Sequence, residues 1–387
     1  MNYILIQARS SSSRLCNKIF LRLYKLPLII FLFKRIKSNK NKIYFLISND
    51  KSDDYLAYLL QRYKINFFRG DLKNVRKRFL DFLIKIPKTS TIIRLTGDNP
   101  LIDKHIIEHS LNTFRKNLFK YTYVDTGNRF IPYGISIEVF KALDLQKKSK
   151  TKNQMLNSKE HVTSDFKKSK ENKIYLKLFK KKIRVTVDYF SDYTNLRKVI
   201  SELNKPLKIG WHFICKKFAE TNDISNSKKP ITCSSFLTKN LTQNNINEII
   251  KLKRNFWKYT SKSTKRHFDL NYKKNDSHNL VYLGRELVGY SAFRKTFFKF
   301  DRKKTYIILD SVIIKNKYQN CNLSDILMSF NNNFILNNKK KTYLICKKEL
   351  INFYKQYYWK LVTNKYFKLK EYKDNKKFIM SFDSKSN

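Results

Sequence analysis

The sequence predicts an α/β protein in which a mostly parallel sheet, covered by helices on both faces, is followed by a mixed α/β domain. Short apolar segments alternate with helical segments as far as about residue 205, which is the rhythm of successive βαβ units. A chain of 387 residues, 42% of them apolar, is long enough to form two cores. We therefore expect a first domain over residues 1–218, a linker over 219–235 and a second domain over 236–387.

The elements of the first domain follow from the spacing of its apolar residues. Short apolar runs bounded by polar residues predict strands at residues 3–7, 42–48, 66–69 and 91–95. Longer segments with apolar residues on one helical face predict helices at residues 28–36, 53–63 and 75–83. In such a fold the ligand binds at the carboxyl ends of the strands.

The second domain follows a stretch rich in Asn, Ser and Lys around residues 219–230, whose lack of periodicity predicts a linker. Beyond it the pattern indicates a mixed α/β domain built around a hairpin. We expect helices at residues 244–259, 323–336 and 350–358. We expect strands at residues 279–283, 286–295, 305–314 and 342–346.

The first strand leads into a loop of small residues that carries three cations. Ser10 to Ser13 can turn the backbone so that N–H groups and hydroxyls face a common anion, and Arg9, Arg14 and Lys18 supply positive charge around it. This combination predicts a phosphate-binding loop. The alternative is a solvated basic loop, which is common in so basic a chain.

A second loop, Thr96-Gly97-Asp98, follows the strand at residues 91–95. Gly97 permits a close backbone approach, and the carboxylate of Asp98 lies where the strand ends. Magnesium is usually bound through one or two carboxylates together with substrate phosphates, and Asp188 is a suitable second acid. Each aspartate could instead be a helix cap or the start of an Asx-turn.

Several short motifs occur in an order that is typical of one enzyme family. They are Gln7-Ala8-Arg9, Ser12-Ser13-Arg14-Leu15 with Lys18, Arg69-Gly70, Arg94-Leu95-Thr96-Gly97-Asp98, Gly134, Glu138-Val139-Phe140, Glu160-His161-Val162-Thr163 and Thr186-Val187-Asp188. In this order they resemble the cytidylyltransferase family of the spore-coat polysaccharide protein SpsF, which is related to the acylneuraminate and 3-deoxy-manno-octulosonate cytidylyltransferases. The resemblance covers about the first 200 residues.

The resemblance implies a nucleotide-diphosphosugar transferase-like fold that uses CTP to convert a nonulosonic or octulosonic sugar acid into a CMP-sugar for surface polysaccharide. Arg9, Lys18 and Asp98 would be catalytic, and Asp98 and Asp188 would hold Mg²⁺. The residues implied to bind the nucleotide are Ala8, Arg9, Ser13, Arg14, Lys18, Arg94, Thr96 and Gly97. The sugar side would be formed by Gly134, Glu138 and His161.

Three positions depart from the family pattern. Cys16-Asn17 replaces the usual Pro-Gly of the phosphate loop, and Ser136 stands where an acid is common. The lost glycine removes easy access to positive φ, although asparagine is the next most tolerant residue there. A nucleotide-binding module without catalytic turnover is therefore the alternative to a working enzyme.

The second domain contains a weaker family resemblance. The strand at residues 305–314, the loop around Gln319 and the helix from Leu323 resemble the coenzyme-A loop of the GNAT acetyltransferases, with Asn322 at a glycine position. A later Phe-Tyr segment places Tyr354 at the family's general acid. The resemblance implies an acetyl-CoA site formed by Val312, Ile314, Gln319, Asn320, Leu323, Ser324 and Tyr354. The alternative is an ordinary amphipathic helix after a strand.

The charge and cysteine content restrict the partners and the compartment. The formal net charge of +52 would suit a nucleic-acid partner, but the lysines are spread along the whole chain, so we expect no specific nucleic-acid binding. Five widely separated cysteines predict reduced thiols in the cytoplasm, and no apolar run near the N-terminus approaches the ~20 residues of a membrane span. The sequence leaves the oligomeric state open, with a homodimer among the candidates.

Overall fold

A computed structural model describes the chain except for residues 117–119, 126, 128–129, 149–160, 167, 169, 222–224, 258–259, 299–300, 364–368, 370–376 and 383–387. The chain divides into two compact units, Met1–Lys228 and Lys229–Asn387. Each unit has its own sheet, which is six-stranded in the first and seven-stranded in the second. The sequence correctly predicts the α/β class of both units.

The first unit contains eight strands and seven helices in its described residues. The strands are β1 (Asn2–Gln7), β2 (Arg22–Leu23), β3 (Leu26–Pro27), β4 (Lys42–Ser48), β5 (Phe67–Gly70), β6 (Thr91–Thr96), β7 (Tyr121–Tyr123) and β8 (Glu138–Lys141). The helices are α1 (Leu28–Ile36), α2 (Asp54–Arg62), α3 (Val75–Leu83), α4 (Lys104–Lys116), α5 (Ala142–Lys148), α6 (Phe190–Ser201) and α7 (Trp211–Glu220).

The order of the main sheet is β5-β4-β1-β6-β8-β7, and β2 pairs with β3 in a separate hairpin. Strands β5, β4, β1 and β6 are parallel, whereas β8 is antiparallel to β6 and β7 is antiparallel to β8. The central position of β1 explains its apolar sequence, because Ile4, Leu5 and Ile6 are fully buried between two neighbouring strands. Gln7 pairs with Thr96, so the loops after β1 and β6 begin side by side.

The second unit contains strands β9 (Ile231–Leu237), β10 (Ser277–Leu283), β11 (Glu286–Phe298), β12 (Asp301–Ile314), β13 (Thr342–Cys346), β14 (Trp359–Leu361) and β15 (Phe378–Phe382). Its helices are α8 (Gln243–Trp257), α9 (Ser261–Asn271), α10 (Leu323–Asn338) and α11 (Ile351–Lys355). The sheet order is β14-β15-β13-β12-β11-β10-β9, in which β12 and β13 are the parallel pair. The register between β11 and β12 shifts near Ser311, whose φ is 57°.

The second unit departs from the sequence-based expectations in three places. Strand β9 begins inside the predicted linker, because polar residues such as Thr232 and Ser234 suit the outer strand of a sheet, which pairs on one side only with β10. Helix α9 and strands β14 and β15 were not predicted from the sequence. Helix α11 is shorter than expected: it ends at Lys355, and the turn that follows it reaches positive φ at Tyr358 (69°).

The structure also bears on two expectations from the sequence, the state of the cysteines and the absence of a membrane span. Cys215, Cys321 and Cys346 are free, so the expectation of reduced thiols holds for these three but not for Cys16 and Cys233. The spacing of the cysteines along the sequence did not indicate which of them would be free. No helix in the described part of the chain combines the length and apolar character that crossing a bilayer requires.

Candidate active site

A polar cavity of about 450 Å³ opens at the carboxyl ends of β1 and β6. It is lined by most of the residues that we expected from the sequence to bind the nucleotide, the metal or the sugar. Those that line it are Ala8, Arg9, Arg14, Lys18, Arg94, Thr96, Gly97, Asp98, Gly134, His161 and Asp188. The remaining lining residues are Gln7, Ser12, Ile19, Val75, Arg78, Asn99, Tyr133, Ser136 and Thr186.

The basic loop after β1 is held in place by a buried carboxylate. Asp53 accepts hydrogen bonds at Oδ1 from the backbone N–H and the hydroxyl of Ser10, at 2.7 and 2.6 Å, and at Oδ2 from Ser48 N at 2.9 Å. The N–H of Asn17 donates to Ser10 O at 2.9 Å and closes the loop. Asn17 has φ 56° and ψ 20°, so this asparagine adopts the left-handed conformation for which the family's glycine is suited.

The loop after β6 approaches the loop after β1 closely because it contains Gly97. The N–H of Gly97 donates to Gln7 O at 2.9 Å. A Cβ at position 97 would lie 3.1 Å from Ala8 Cβ and 3.0 Å from Ile29 Cδ1, closer than ordinary van der Waals contact, so its neighbours would have to shift. The missing side chain therefore allows Arg9 and Asp98 to face the same cavity.

Lys18 joins the two aspartates on which the metal hypothesis depends. Its Nζ lies 2.7 Å from Asp98 Oδ2, 3.1 Å from Asp188 Oδ1 and 2.8 Å from Val187 O. The lysine side chain is 9% exposed, so these contacts are made away from bulk water. Two carboxylates from separate loops are thereby brought to one point.

Further cations surround these carboxylates. Asp188 Oδ1 lies 2.8 Å from Arg14 Nη2, and Asp188 Oδ2 lies 2.6 Å from Arg184 Nη2. Burial by itself raises the pKa of Asp98, but the charge of Lys18 and hydrogen bonds from Lys18 and Thr96 outweigh it and lower that pKa below its usual value. Asp98 is therefore an anion at neutral pH and can hold a cation.

Asp98 and Asp188 are the two carboxylates expected to hold magnesium, and in this structure both contact Lys18 Nζ. Among the residues that the structure describes, no group of three or more His, Cys, Asp and Glu side chains forms a complete metal cage. Asp98 and Asp188 provide two carboxylates at one point, which matches the usual share of the protein in a Mg²⁺–phosphate site.

The opposite wall of the cavity depends on Gly134. This residue has φ 117°, and a Cβ there would lie 2.5 Å from Thr186 N and 2.9 Å from Val185 C. Tyr133 beside it places its ring 4.8 Å from the guanidinium carbon of Arg184. Gly134 and His161 therefore line the cavity as the sequence predicted, whereas Glu160 lies outside the described residues.

Glu138 was assigned to the sugar side, but the structure places it outside the cavity lining. Its carboxylate pairs with Arg94 and accepts hydrogen bonds from Tyr121 Oη and Thr163 Oγ1, both at 2.7 Å. Arg94 also donates to Gln7 Oε1, at 2.8 Å from Nη2. Glu138 is thus a positioning residue that holds Arg94 at the cavity.

Ser13 is a second correction: its side chain is exposed and is not part of the cavity lining, to which Ser12 contributes instead. The Oγ of Ser12 accepts a hydrogen bond from Leu15 N at 3.3 Å, which orients this serine. A run of four serines gives no signal about which hydroxyl faces inward, because this depends on the local backbone path.

Arg78 and Tyr133 are cavity residues that the sequence analysis missed. Arg78 is 1% exposed, and its guanidinium donates to the carbonyls of Leu46, Asp71 and Leu72. A signal was present for Arg78, because it interrupts the apolar face of α3 between Val75 and Phe82. Tyr133 lies in a loop and carried no such signal.

The residues assigned to coenzyme A lie in the second unit. Val312 and Ile314 belong to β12, Gln319 and Asn320 follow it, and Leu323 and Ser324 begin α10. Gln319 Nε2 donates to Ile314 O at 3.1 Å. Asn322 caps α10 with φ 58° and ψ 19°, again the left-handed conformation of a family glycine.

Tyr354 lies in α11 and is 8% exposed, and burial raises the pKa of its phenol. It packs against the rings of Phe353 and Trp359. The Oη of Tyr357 is the hydroxyl that reaches the first turn of α10, where it donates to Asp325 Oδ1 at 2.7 Å and lies 3.2 Å from Ser324 Oγ.

Comparison with known proteins places the first unit in a family. A family model described as cytidylyltransferase matches residues 3–222. An uncharacterized protein of Methanocaldococcus jannaschii is 31% identical over 239 residues, which are 58% of this chain and 95% of that protein. The spore coat polysaccharide biosynthesis protein SpsF of Bacillus subtilis is 31% identical over 174 residues, 42% of this chain and 69% of the relative.

A solved cytidylyltransferase from Leptospira borgpetersenii is 26% identical, with a TM-score of 0.51 over 57% of this chain and 94% of that one. An acyl-CoA N-acyltransferase from Pseudomonas aeruginosa, 16% identical, covers 40% of this chain and 99% of its own with a TM-score of 0.31. A TM-score and identity this low give no information about the activity of the second unit.

Proposed function

The chain belongs to the cytidylyltransferase family, and we propose that it activates a sugar acid of the nonulosonic or octulosonic type with CTP, giving a CMP-sugar and pyrophosphate. The observation that carries the proposal is the convergence of Arg9, Arg14, Lys18, Asp98 and Asp188 on one cavity. Several fixed cations suit a triphosphate, and His161 and Gly134 on the opposite wall leave space for a second substrate.

In the proposed reaction, a hydroxyl oxygen of the sugar acid bonds to the α-phosphorus of CTP. The bond from that phosphorus to the bridging oxygen breaks, pyrophosphate leaves, and the hydroxyl proton is released. No covalent enzyme intermediate is needed, so the protein acts by orienting the reactants and compensating phosphate charge. Arg9 and Arg14 would bind the triphosphate, and Lys18, fixed by Asp98 and Asp188, would meet its developing charge.

Asp98 and Asp188 would hold Mg²⁺ in this reaction. When bound, the ion would neutralise phosphate charge and orient the pyrophosphate leaving group. Arg184 pairs with Asp188 and Asp192, and Asp192 Oδ2 accepts from the N–H of Asp188 at 2.9 Å. These contacts orient the Asp188 carboxylate toward the cavity.

We propose that the enzyme acts in the cytoplasm and that its product is used to make surface polysaccharide, in line with the name of the SpsF relative. The second unit is proposed to be an N-acyltransferase that uses acetyl-CoA. Support comes from the loop between β12 and α10, where Asn322 adopts the conformation of the family's glycine and starts a 16-residue helix whose N–H groups could bind pyrophosphate.

Pyrophosphate release in the presence of CTP, Mg²⁺ and a panel of nonulosonic and octulosonic acids tests the main proposal. We expect turnover with at least one acid and none with its methyl glycoside, in which the attacking hydroxyl is blocked. Replacing CTP by UTP is the matched nucleotide control. CTP binding without release of pyrophosphate for any acid would identify a non-catalytic nucleotide-binding module instead.

A thermal-shift measurement tests the acyltransferase proposal separately. Acetyl-CoA at about 100 times its dissociation constant should stabilise the protein by about 2.7 kcal/mol. The variant Asn322→Gly should bind it equally well or more tightly. No shift with either protein would reject coenzyme binding.

A further inference from the structure

A second cavity lies within the second unit, between α8, α9 and β12. Its volume is about 400 Å³, which is in the usual range for sites that bind small molecules. The lining residues are Lys253, Trp257, Ser263, Thr264, His267, Asp310 and Ser311. None of them belongs to the cytidylyltransferase cavity or to the residues assigned above to coenzyme A.

Lys253 is the unusual member of this set. It is 3% exposed, although lysine is almost never buried unless its charge is paired. Its Nζ donates to Tyr272 Oη at 2.9 Å, and in the part of the chain that the structure describes it has no ion pair with a carboxylate. An ammonium has three donors, so two are left for a ligand. Aromatic rings of Tyr272 and Tyr290 lie 4.8 and 5.5 Å from it.

The one carboxylate of the cavity is already paired with a different cation. Asp310 Oδ2 lies 3.1 Å from Arg294 Nε. Tyr272 Oη lies 3.4 Å from the same carboxylate oxygen and 3.2 Å from Ser311 Oγ. Lys253, Arg294 and Asp310 together therefore carry one net positive charge.

His267, the remaining titratable side chain of the cavity, does not balance this positive charge. Burial and the charge of Lys253 lower the pKa of His267, so this side chain is neutral at pH 7. Burial lowers the pKa of Lys253 to about 8, which still leaves the ammonium as the main form at that pH. Asp310 acts on Lys253 as well as on Arg294, so one buried positive charge of this cluster is left without a counter-ion, and a bound monoanion would remove the cost of burying it.

We propose that this cavity is a binding site for a small hydroxylated monocarboxylate, whose carboxylate accepts hydrogen bonds from Lys253. Trp257 supplies a ring face for the ligand's carbon skeleton, and His267 and Asp310 exchange hydrogen bonds with its hydroxyls. The single net charge of the cluster favours a carboxylate over a phosphate monoester, which carries nearly two charges. This site is independent of the reaction proposed for the first unit.

D-Gluconate and D-glucitol form a matched pair of probes, since they have six carbons and a similar set of hydroxyls but only gluconate is charged. Binding to the full-length protein is measured by thermal shift, with CTP present at saturation to fill the first cavity. We expect gluconate to raise the Tm and to bind at least about tenfold more tightly than glucitol, because a charge-assisted hydrogen bond is lost in the neutral probe.

The variant Lys253→Met keeps the length of the side chain and removes its charge, whereas Lys251→Met makes the same change at an exposed position of the same helix. We expect the gluconate shift to disappear in Lys253→Met and to persist in Lys251→Met. The Tm of unliganded Lys253→Met should equal or exceed that of the wild type, because a buried charge is replaced by an apolar group.

Trp257 provides a second measurement that does not depend on the folding of the lysine variant. Gluconate should change the intrinsic fluorescence of the wild-type protein, and this change should be absent in Trp257→Phe. The proposal is overturned if gluconate gives no Tm shift, if glucitol or inorganic phosphate gives an equal one, or if the shift persists in Lys253→Met.

Discussion

At the scale of single residues, the first cavity depends on a lysine that joins two loops. Lys18 Nζ contacts Asp98, Asp188 and the carbonyl of Val187, and Arg14 and Arg184 contact Asp188 from either side. Removing one charge therefore changes the electrostatic environment of several others. The following two predictions separate an effect on turnover from an effect on nucleotide affinity.

Asp98→Asn should lower kcat for nucleotidyl transfer about 100-fold or more, the scale seen when one preorganised charged group is lost from an active site. The amide keeps the shape of the side chain but loses the charge that pairs with Lys18. Asp81→Asn, which removes a carboxylate from an exposed ion pair on α3, should leave kcat unchanged. Near-normal turnover by Asp98→Asn with an unaltered circular dichroism spectrum would contradict the role proposed for Asp98 in holding Mg²⁺.

Arg14→Ala should raise the KM for CTP about 10- to 100-fold, because a charge-assisted phosphate contact contributes about 1.5–3 kcal/mol. The Arg14 side chain is 51% exposed, so little effect on the Tm is expected. Arg62→Ala, at the end of α2, serves as the control for the loss of an arginine. An unchanged KM would show that the loop binds a group other than the triphosphate.

Asn17 shows how a residue change can be compatible with the same loop. From the sequence alone, replacing the family's glycine by Asn17 is compatible with either an intact or a weakened phosphate loop. Asn17 has φ 56°, a conformation that asparagine tolerates better than most residues, and its N–H still closes the loop on Ser10. The backbone conformation is thus retained without the glycine.

At the scale of secondary structure elements, the site depends on contacts that hold strand ends and loops together. Glu138 at the start of β8 connects Arg94 of β6, Tyr121 of β7 and Thr163. Gly134 allows the loop before β8 to touch the segment that leads to Asp188. Glu138 therefore acts on the cavity through Arg94, whereas Gly134 lines the cavity and also lets its wall pack closely.

Glu138→Gln should lower the free energy of unfolding at pH 7 by about 3 kcal/mol, since it leaves the buried charge of Arg94 without its partner. Burial alone would raise the pKa of Glu138, but Arg94, Thr163 and Tyr121 lower it below its usual value. A lowered folded-state pKa gives stability that is present above the unfolded pKa of about 4.3 and is lost as the pH falls through the folded value.

The difference between Glu138→Gln and the wild type should therefore narrow below about pH 4. Urea denaturation at pH 7 and at pH 3.5 measures it, with the exposed Glu202→Gln as the matched control. A difference that stays constant between the two pH values would show that the charge of Glu138 is not what stabilises this region.

Gly134→Ala should destabilise the first unit by at least about 2 kcal/mol, since the added Cβ would overlap the backbone at Thr186 and φ 117° is unfavourable for alanine. Gly210→Ala is a suitable control, because its nearest atom would lie 3.9 Å away. Thermal denaturation compares the two variants. Equal stability would mean that the loop before β8 can move away from Thr186 at no cost.

At the scale of the whole molecule, the chain contains two units with separate sheets and separate cavities. All residues that line the cytidylyltransferase cavity fall between Gln7 and Asp188, within the first unit. All residues that line the anion-binding cavity proposed for the second unit fall between Lys253 and Ser311. Each chemistry is therefore contained within one unit.

A fragment of residues 1–228 should fold cooperatively and retain kcat/KM for CTP within about threefold of the full chain, because compact units with their own cores can usually fold alone. Circular dichroism and pyrophosphate release measure the two properties against the full-length protein. Loss of activity by a folded fragment would mean that the second unit contributes to the first reaction.

The sequence by itself determined the α/β class, the four parallel strands and first three helices of the first unit, and the composition of the basic loop. Strands such as β1 are buried on both sides and are therefore uniformly apolar, so they can be recognised from the sequence alone. The boundaries of α1, β4 and α3 agree with the predicted ranges for the same reason. Motif order then identified Arg9, Arg14, Lys18 and Asp98 as neighbours.

Tertiary structure alone decided which polar side chains of the site face the cavity and which support it. Glu138 holds Arg94, Ser12 replaces Ser13, and Arg78 and Tyr133 join the lining, because these roles depend on the backbone path and on partners distant in sequence. The burial of Lys253 was likewise decided by the tertiary structure alone. A lysine on an amphipathic helix looks solvated in the sequence, and only the fold, which packs Tyr272 and Tyr290 around it, removes it from water.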